Sequence, residues 1–425
     1  MLLRQVEPRL GSDPEFVKLR DSFQVTASIR TEPAGADVYV KPYADVNGRW
    51  EHLGQSPLEI RAPIAYSYYR YRVTKAGFAP FEGADGLIGA TFTLVPAGKL
   101  PANMVRVPGT SFSAPSGTVR LPDFFMGRFE VTNREFKSFV DAGGYRTREF
   151  WTEPFVKDGH PVSWDEAMAE FRDATGRPGP ATWELGSSAE GQEDFPVHGV
   201  SWYEAAAYAR YAGQTLPTVH HWRSGAGLMG PQSVFSDILE LSNFLSKGPA
   251  KVGEFKGIGP FGTYDMAGNV KEWCWNAVGD RRYILGGGWN EPNYQFRGED
   301  ARLPFDRSPN DGFRTIEARR CVGAPRGGLE AGGAPDPRLQ PGEAGVRRCV
   351  SRLRRPLHLR PNRSEVVRGI GRRQRTRMAR RTHHVRGALW QRTHCRIPVP
   401  AETRSTALSD RCVLSSLGRH LAQLL

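Results

Sequence analysis

The chain has 425 residues and a formal net charge of +13, but this charge is unevenly distributed. The part from Arg319 onward holds 24 arginines, no lysine and six acidic side chains, whereas residues 1–318 carry 34 basic and 39 acidic groups. Trp390 is the one aromatic residue of the last part, which can therefore build very little hydrophobic core. No apolar run approaches the ~20 residues of a membrane helix, which excludes a spanning helix.

The cysteines and the polar start of the chain indicate little about its compartment. The five cysteines form no CxxC pair and no regular spacing, so we expect neither a disulfide framework nor a zinc site: Cys274, Cys321, Cys349, Cys395 and Cys412. The first residues lack the continuous apolar stretch of a signal peptide. These features therefore fit both an oxidising and a reducing compartment.

Residues 1–22 are polar, and we interpret them as the remnant of a linker or preceding helix. Between residues 23 and 95, apolar and polar residues alternate as in half-buried strands, for example at Ala27 and Ile29 and again at Tyr69, Tyr71 and Val73. Turn signals such as Asn47-Gly48 separate these runs. The pattern predicts a small all-β domain.

The segment Thr31–Val40, with its Pro33-Ala34-Gly35-Ala36 phrase, resembles the PEGA domain. The later Ser56-Pro57-Leu58 and Lys75-Ala76-Gly77-Phe78 phrases match the same pattern. The alternative is a generic β-sandwich. The resemblance implies a domain that often lies outside the membrane, beside bacterial signalling kinases.

Residues 96–318 mix helices and short strands. Thr132 and Glu135 form a capping box that predicts a helix start, and Gly143-Gly144 predicts its end. Ser201 and Glu204 predict a second capped helix, which closes at Gly213.

Six ordered phrases in this region resemble the formylglycine-generating (sulfatase-modifying-factor) family. They begin at Met104, Phe124, Pro196, Gly262, Gly286 and Gly312, and the Gly262–Trp273 block is the most specific of them. The resemblance implies a mixed α/β fold of low regular secondary structure, related to the C-type lectin fold. The predicted class is thus α+β: a small PEGA-like β-sandwich at 23–95, this fold at 96–318, and a basic tail at 319–425.

The family's copper-binding cysteine pair lies between the Gly-Gly-(Gly/Ser) phrase and Gly-Phe-Arg. The corresponding interval here, from Trp289 to Pro309, contains no cysteine, and Cys274 and Cys321 fall outside it. Thiolates are the soft ligands that hold Cu(I). We therefore expect no copper and no formylglycine formation by that mechanism.

Other relatives use non-heme iron held by histidines of an additional helical domain. That domain has no counterpart here, and the neighbours His220 and His221 would point ~100° apart on a helix. We interpret the five histidines of residues 1–318 as surface or packing residues: His52, His160, His198, His220 and His221. An iron site built from residues distant in the sequence is the alternative.

The resemblance also implies a structural calcium site, at Asp265, Gly268, Val270 and Glu272. Two carboxylates and two backbone carbonyls would supply hard oxygen ligands. The alternative is that Gly268-Asn269 is a turn and that Glu272 anchors a loop. A second calcium site of the family is predicted to be lost, because the loop after Phe244 is short.

Two functions remain after these exclusions. The first is a binding or sensing module of a bacterial signalling protein, a pseudoenzyme whose protein or carbohydrate ligand meets the loop from Asn290 to Asn310 through Tyr294, Phe296, Arg297 and Arg302. The second is an oxygen-dependent metalloenzyme of formylglycine-generating or non-heme iron type. Core packing is the alternative role of Trp289 and Phe296.

The arginine-rich tail could bind nucleic acid through counterion release, yet it lacks lysine, tyrosine and phenylalanine altogether. An out-of-frame reading of a GC-rich gene produces this composition. We therefore predict a frameshifted or disordered extension and no nucleic-acid partner. The abrupt start and the PEGA-like domain favour a piece of a larger kinase-linked protein, extracytoplasmic in part, whose kinase domain would lie upstream.

Overall fold

The computed structural model describes residues 13–22, 24–63, 68–86, 89–114, 117–229 and 235–318. Over these ranges the chain is a mixed α/β structure with many short strands and few helices, the longest of which has ten residues. None of the described helices is long and apolar enough to cross a membrane. The basic tail predicted at 319–425 lies outside the described residues.

Within its described residues, the chain up to residue 93 forms one short helix and seven strands. These elements are α1 (Pro14–Ser22), β1 (Gln24–Glu32), β2 (Asp37–Pro42), β3 (Glu51–Gln55), β4 (Leu58–Pro63), β5 (Tyr68–Thr74), β6 (Phe81–Gly86) and β7 (Ala90–Thr93). They build two sheets, with strand orders β4-β1-β7 and β3-β2-β5-β6. Both sheets contribute to one hydrophobic cluster, which includes Ile29, Val38, Tyr71 and Phe92. The alternation predicted for β1 and β5 is therefore confirmed.

The remaining strands are short and belong to four sheets. They are β8 (Met104–Val107), β9 (Thr110–Ala114), β10 (Gly117–Leu121), β11 (Phe124–Gly127), β12 (Val156–Lys157), β13 (His160–Pro161), β14 (Lys271–Val278), β15 (Arg281–Leu285), β16 (Asp300–Arg302), β17 (Asp311–Gly312) and β18 (Ile316–Ala318). The strand orders are β18-β11-β8, β10-β9, β12-β13 and β16-β15-β14-β17.

The described residues after position 95 also form five α-helices: α2 (Asn133–Asp141), α3 (Trp164–Glu170), α4 (Trp202–Tyr211), α5 (Val219–Gly225) and α6 (Phe235–Leu239). Both predicted capping boxes are confirmed, since Thr132 and Ser201 each accept from the backbone N–H of the glutamate three residues later. The two caps fix where α2 and α4 start. Both helices bury aromatic side chains in one cluster, including Phe136 and Trp202.

The first sheets contact the rest of the chain through a buried tyrosine. The Tyr43 hydroxyl donates to the carbonyl oxygen of Ile258 and accepts from its N–H, both at 2.9 Å. Tyr43 is 2 % exposed and belongs to the same hydrophobic cluster as Trp222 and Ile316. A Cβ on Gly83 would lie 2.3 Å from the Pro260 carbonyl oxygen, so the backbones approach closely there. The N-terminal strands therefore share a core with the later region.

Candidate functional site

An arginine and a glutamate form a buried ion pair at the centre of the later region. Arg314 follows β17 and Glu272 lies in β14, and neither side chain is exposed to solvent. Arg314 donates from Nε to Glu272 Oε2 and from Nη2 to Oε1, each at 2.6 Å. Trp222 Nε1 donates to the same Oε2 at 2.7 Å. The guanidinium also donates to the carbonyl oxygens of Gly127 and Tyr264 at 3.0 and 2.8 Å.

Two more carboxylates lie beside this pair. Glu130, just before the cap of α2, accepts from the backbone N–H of Val270 at 3.1 Å and from the side-chain amide of Asn269 at 3.0 Å. Asp265 accepts from the backbone N–H of Gly253 at 2.6 Å. Both are buried, with 2 % and 5 % exposure. We call Glu130, Asp265, Glu272 and Arg314 the carboxylate cluster.

Burial dominates the proton affinities of the carboxylate cluster. It raises the pKa of Glu130 well above the ordinary value, and the charges of Asp265 and Glu272 raise that pKa further. Burial raises the pKa of Asp265 to about 7, and it raises the pKa of Glu272 although the Arg314 guanidinium opposes this. With all three carboxylates ionised, one guanidinium leaves two negative charges uncompensated in the interior.

The loop that carries the predicted calcium ligands has a fixed backbone shape. Asp265, Gly268 and Asn269 all have positive φ, at 57°, 82° and 61°. A Cβ on Gly268 would lie 2.3 Å from the Asn243 carbonyl oxygen, so glycine is required there for both conformation and space. The chain therefore bends at Gly268 and Asn269, where Gly268 forms an isolated bridge with Asn243.

The predicted ligands fit calcium in charge and in donor type, since calcium prefers carboxylate and carbonyl oxygens. Glu272 is the exception in geometry, because its two oxygens already accept three hydrogen bonds from Arg314 and Trp222. Among the described residues, no three His, Cys, Asp or Glu side chains come together as a metal site. A bound calcium would therefore share Glu272 with the guanidinium of Arg314.

Charged pairs hold the loop of residues 289–311, which we call the 289–311 loop, against the sheet below it. Lys271 in β14 is 2 % exposed at its side chain and pairs with Glu291 at 2.9 Å and with Asp300. Arg302 pairs with the fully buried Asp311 at 2.5 Å. Burial raises the pKa of Asp311 to about 7, and Arg302 acts in the opposite direction. The interval that lacks cysteine thus has its own polar network.

The structure separates the four predicted ligand-binding residues into two pairs. Tyr294 is 67 % exposed, and Arg297 is exposed beside it. Phe296 is 1 % exposed and packs its ring 6.1 Å from that of Trp222, so its prediction as a ligand contact is wrong and its alternative role as a core residue is confirmed. Arg302 forms an ion pair with the buried Asp311, so its charge stabilises the folded loop. Tyr294 and Arg297 remain the candidate ligand contacts.

Two polar atoms near the 289–311 loop are buried and have no hydrogen-bond partner among the described residues. They are Nε1 of Trp289 and Oδ2 of Asp311. Such groups are rare in folded proteins and usually bond to water or to a ligand. They mark the places below the loop where a polar group can still be bound.

The histidines and the described cysteine occupy packing or surface positions. His221 is 5 % exposed, bonds to Thr218 at 2.6 Å and meets the edge of Phe124, whereas its neighbour His220 contacts Phe112. Burial raises the pKa of the Cys274 thiol well above its ordinary value, which keeps this thiol protonated. His220 and His221 thus face different surroundings, as the helical spacing predicts.

Sequence reasoning missed the contributions of three residues that organise this region: Glu130, Lys271 and Arg314. Arg314 was visible as part of the Gly312-Phe313-Arg314 phrase, but its partner Glu272 lies 42 positions away. Lys271 and Glu130 carry no local signal, since their partners come from distant loops.

Comparison with known proteins identifies the class to which this fold and site belong. The Sulfatase-modifying factor enzyme 1-like domain matches residues 88–319, which is more than half of the chain. The protein therefore belongs to this formylglycine-generating enzyme and sulfatase-modifying-factor family.

Three relatives show how varied the family is. The formylglycine-generating enzyme of Thermomonospora curvata is 32 % identical over 226 residues, covering 42 % of this chain and 74 % of that protein. The inactive C-alpha-formylglycine-generating enzyme 2 of Bos taurus is 29 % identical over 282 residues, covering 53 % of this chain and 91 % of that protein. The serine/threonine-protein kinase Pkn1 of Chlamydia trachomatis is 30 % identical, covering 41 % of this chain and only 28 % of the kinase. Relatives thus include a formylglycine-generating enzyme, an inactive one and a protein kinase.

Proposed function

We propose that this protein is a binding or sensing module of a bacterial signalling protein, built on a formylglycine-generating scaffold that has lost the oxidase chemistry. One observation carries the proposal: the interval from Trp289 to Pro309 contains no cysteine. In this interval, Glu291 and Asp300 form ion pairs with Lys271, and Arg302 forms an ion pair with Asp311. Ion-paired carboxylates and guanidinium groups do not replace the thiolates that hold Cu(I).

The proposed ligand-binding surface consists of Tyr294 and Arg297 on the exposed side of the 289–311 loop. An aromatic ring and a guanidinium are the usual anchors of protein interfaces. The loop beneath them is fixed by Lys271 and by the Arg302–Asp311 pair, so little order has to be gained on binding. A protein ligand is the occupant that this surface supports best, with carbohydrate as the alternative outcome of the test.

The loss of redox chemistry is tested first, by elemental analysis of the purified full chain and by oxygen consumption with a cysteine-containing peptide and copper. We expect neither copper nor iron at one per chain and no peptide oxidation. The Thermomonospora curvata relative serves as the positive control. Stoichiometric copper or iron, or turnover of the peptide, would overturn the proposal and favour a metalloenzyme with an unrecognised site.

The binding surface is tested by panning a phage-displayed peptide library on the full chain. Selected peptides are expected to lose at least tenfold in affinity for Tyr294→Ala and Arg297→Ala variants. Leu185→Ala is the matched control, because Leu185 is similarly exposed, at 65 %, on a different loop. Equal binding by all three variants would place the ligand elsewhere, and selective binding of glycans over peptides would favour carbohydrate.

We further propose that calcium stabilises the carboxylate cluster through Asp265, Gly268, Val270 and Glu272. Three buried carboxylates beside one guanidinium support a divalent cation there, because two negative charges would remain uncompensated once all three were ionised. Calcium is expected to raise the midpoint of thermal unfolding relative to EDTA, and Asp265→Asn is expected to abolish the difference. The same shift with magnesium, or its persistence in Asp265→Asn, would contradict a calcium site at these residues.

The proposed context is the extracytoplasmic part of a kinase-linked protein with a PEGA-type domain at residues 23–95. Two β-sheets around one core support this assignment, and the Pkn1 relative supports the link to kinases. The genomic region upstream tests it, since an in-frame kinase and membrane-helix segment is expected there. The same locus shows whether the frame from Arg319 onward is genuine.

A further inference from the structure

A cavity of ≈ 520 Å³ lies where the N-terminal strands meet the family domain. One wall comes from β6 and β7 and the residues that flank them, between Ala79 and Val95. The other wall comes from Val105–Thr110, from the end of α5 near Ser224 and from Phe261. Its volume lies within the range of ~300–1,000 Å³ that small-molecule sites occupy. None of its lining residues belongs to the 289–311 loop, so it is a separate site.

The lining of this cavity is largely apolar. Its apolar residues come from both walls and include Phe81, Phe92, Leu100, Val105 and Phe261. Apolar surface of this kind favours the burial of an aliphatic or aromatic group. A ligand therefore needs an apolar body.

Four charged residues also line the cavity, and two of them are already paired. Arg106 binds Asp123 at 2.5 Å. Glu82 binds Arg72 at 2.7 Å. The charges of Arg106 and Glu82 are therefore compensated by residues of the protein. The other two charged lining residues are Arg128 and Asp85.

Arg128 and Asp85 lack charged partners within the described part of the chain. The Arg128 guanidinium, partly buried, forms no hydrogen bond or ion pair with any described side chain. The Asp85 carboxylate accepts one hydrogen bond, from the adjacent backbone N–H of Gly86 at 2.7 Å. Burial raises the pKa of Asp85, which shows that its charged form is poorly solvated. One cation and one anion thus line the same apolar cavity without compensation.

We propose that the cavity binds a zwitterionic ligand with an apolar body, namely an apolar amino acid or a short apolar peptide with free termini. Its carboxylate pairs with Arg128, its ammonium pairs with Asp85, and its side chains contact Phe81, Phe92 and Phe261. A fatty acid would leave the Asp85 charge buried and unpaired, and an apolar amine would leave that of Arg128 unpaired. Because an unpaired buried charge is costly, both single-charge classes are disfavoured.

A ligand in this position contacts both parts of the molecule at once. The N-terminal strands supply Asp85 and the family domain supplies Arg128, so binding strengthens the contact that Tyr43 already makes. The cavity therefore provides a place where a small molecule would stabilise one arrangement of the two parts.

Isothermal titration calorimetry of the full chain tests the proposal with free leucine, free phenylalanine and the dipeptide Leu-Phe. The N-acetylated dipeptide, its C-terminal amide and octanoate serve as probes that lack one charge. We expect Leu-Phe or a free amino acid to bind at least tenfold more tightly than every blocked form and than octanoate. Comparison of the affinities for the dipeptide and for the free amino acids shows whether the ligand is a short peptide or a single amino acid.

Charge-specific variants keep the test independent of folding. Arg128→Gln should weaken Leu-Phe at least tenfold and leave the affinity for its C-terminal amide unchanged. Asp85→Asn should also weaken Leu-Phe at least tenfold, and it should leave the affinity for the N-acetylated dipeptide unchanged. Leu185→Ala, exposed on a loop outside the cavity, should bind every probe as the unmodified chain does. Failure of all zwitterions to bind at millimolar concentration, or equal binding of blocked and free forms, would overturn the proposal.

Discussion

Removal of Arg314 is expected to be among the most destabilising single changes in this protein. Arg314→Met preserves much of the side-chain volume but leaves the Glu272 carboxylate, which is fully buried, without its cation. It also removes donors from the carbonyl oxygens of Gly127 and Tyr264. Breaking a buried pair on one side costs about 3–5 kcal/mol, so we expect about 4 kcal/mol. Domains are stable by only about 5–15 kcal/mol.

The assay is urea unfolding of the full chain followed by tryptophan fluorescence, since Trp222 and Trp273 are buried in the folded state. The double variant Arg314→Met/Glu272→Leu removes both charges, and we expect it to be at least ~2 kcal/mol more stable than the sum of the single changes. Asp141→Ala is the control, because the Lys137–Asp141 pair is exposed and is worth at most about 0.5 kcal/mol. If Arg314→Met costs no more than this control, the buried pair does not hold the fold as argued.

Three further changes test the packing and the buried charges. Tyr43→Phe removes the hydroxyl that bonds to both backbone groups of Ile258, and it should lower the free energy of unfolding in urea by about 1–3 kcal/mol. Burial lowers the pKa of His221 to about 4, so below pH ~6.5 the unfolded chain gains a proton at this residue that the folded chain does not. His221 alone therefore lowers stability by about 3 kcal/mol between pH 6.5 and 4, and His221→Asn should become more stable relative to the unmodified chain by that amount over this range. The raised pKa values of Asp265 and Asp311 act in the opposite direction but equally in both chains, so the difference between the two chains is the quantity to measure. Gly268→Ala should cost well over 2 kcal/mol because of its clash with Asn243, whereas Gly213→Ala, with φ of 70° and open space, should cost only about 1 kcal/mol.

Each of these expectations has a contradicting outcome. Tyr43→Phe with unchanged stability would mean that the hydroxyl is not needed to satisfy Ile258. An unchanged acid transition in His221→Asn would assign the pH dependence to other groups. Equal costs for Gly268→Ala and Gly213→Ala would show that positive φ alone, and not the close approach to Asn243, sets the requirement for glycine.

Local signals predicted the helix starts, and long-range contacts account for what sequence reasoning missed. The capping boxes at Thr132 and Ser201 depend on a residue three positions away, so the sequence contains all of their chemistry. The burial of Phe296 depends on Trp222, which lies 74 positions earlier. No periodicity within a short irregular loop reports on such a contact. The prediction of Phe296 as a surface anchor was wrong for this reason.

The family motif identified the loop at residues 262–273 correctly but could not reveal how its charges are balanced. Glu272 was recognised as an oxygen donor from its place in the motif. Its engagement by Arg314 and Trp222 is a property of the folded chain, since both partners come from other elements. The balance of charge in a buried cluster depends on every group in it, and a motif shows only some of them.

Hydrogen bonds from the neighbouring chain, one of them from Arg314 of the carboxylate cluster, fix the main chain at Arg128, the proposed cation of the cavity. The Arg128 backbone N–H donates to the Asn103 carbonyl oxygen at 2.8 Å, and its own carbonyl oxygen accepts from the backbone N–H of Tyr264 at 2.8 Å. Arg314 donates to that same carbonyl oxygen at 3.4 Å. The main chain at Arg128 is thus fixed from both sides, so only its side chain has to be ordered when a carboxylate binds. The core that stabilises the family fold therefore also lowers the entropic cost of recognition at the junction with the N-terminal strands.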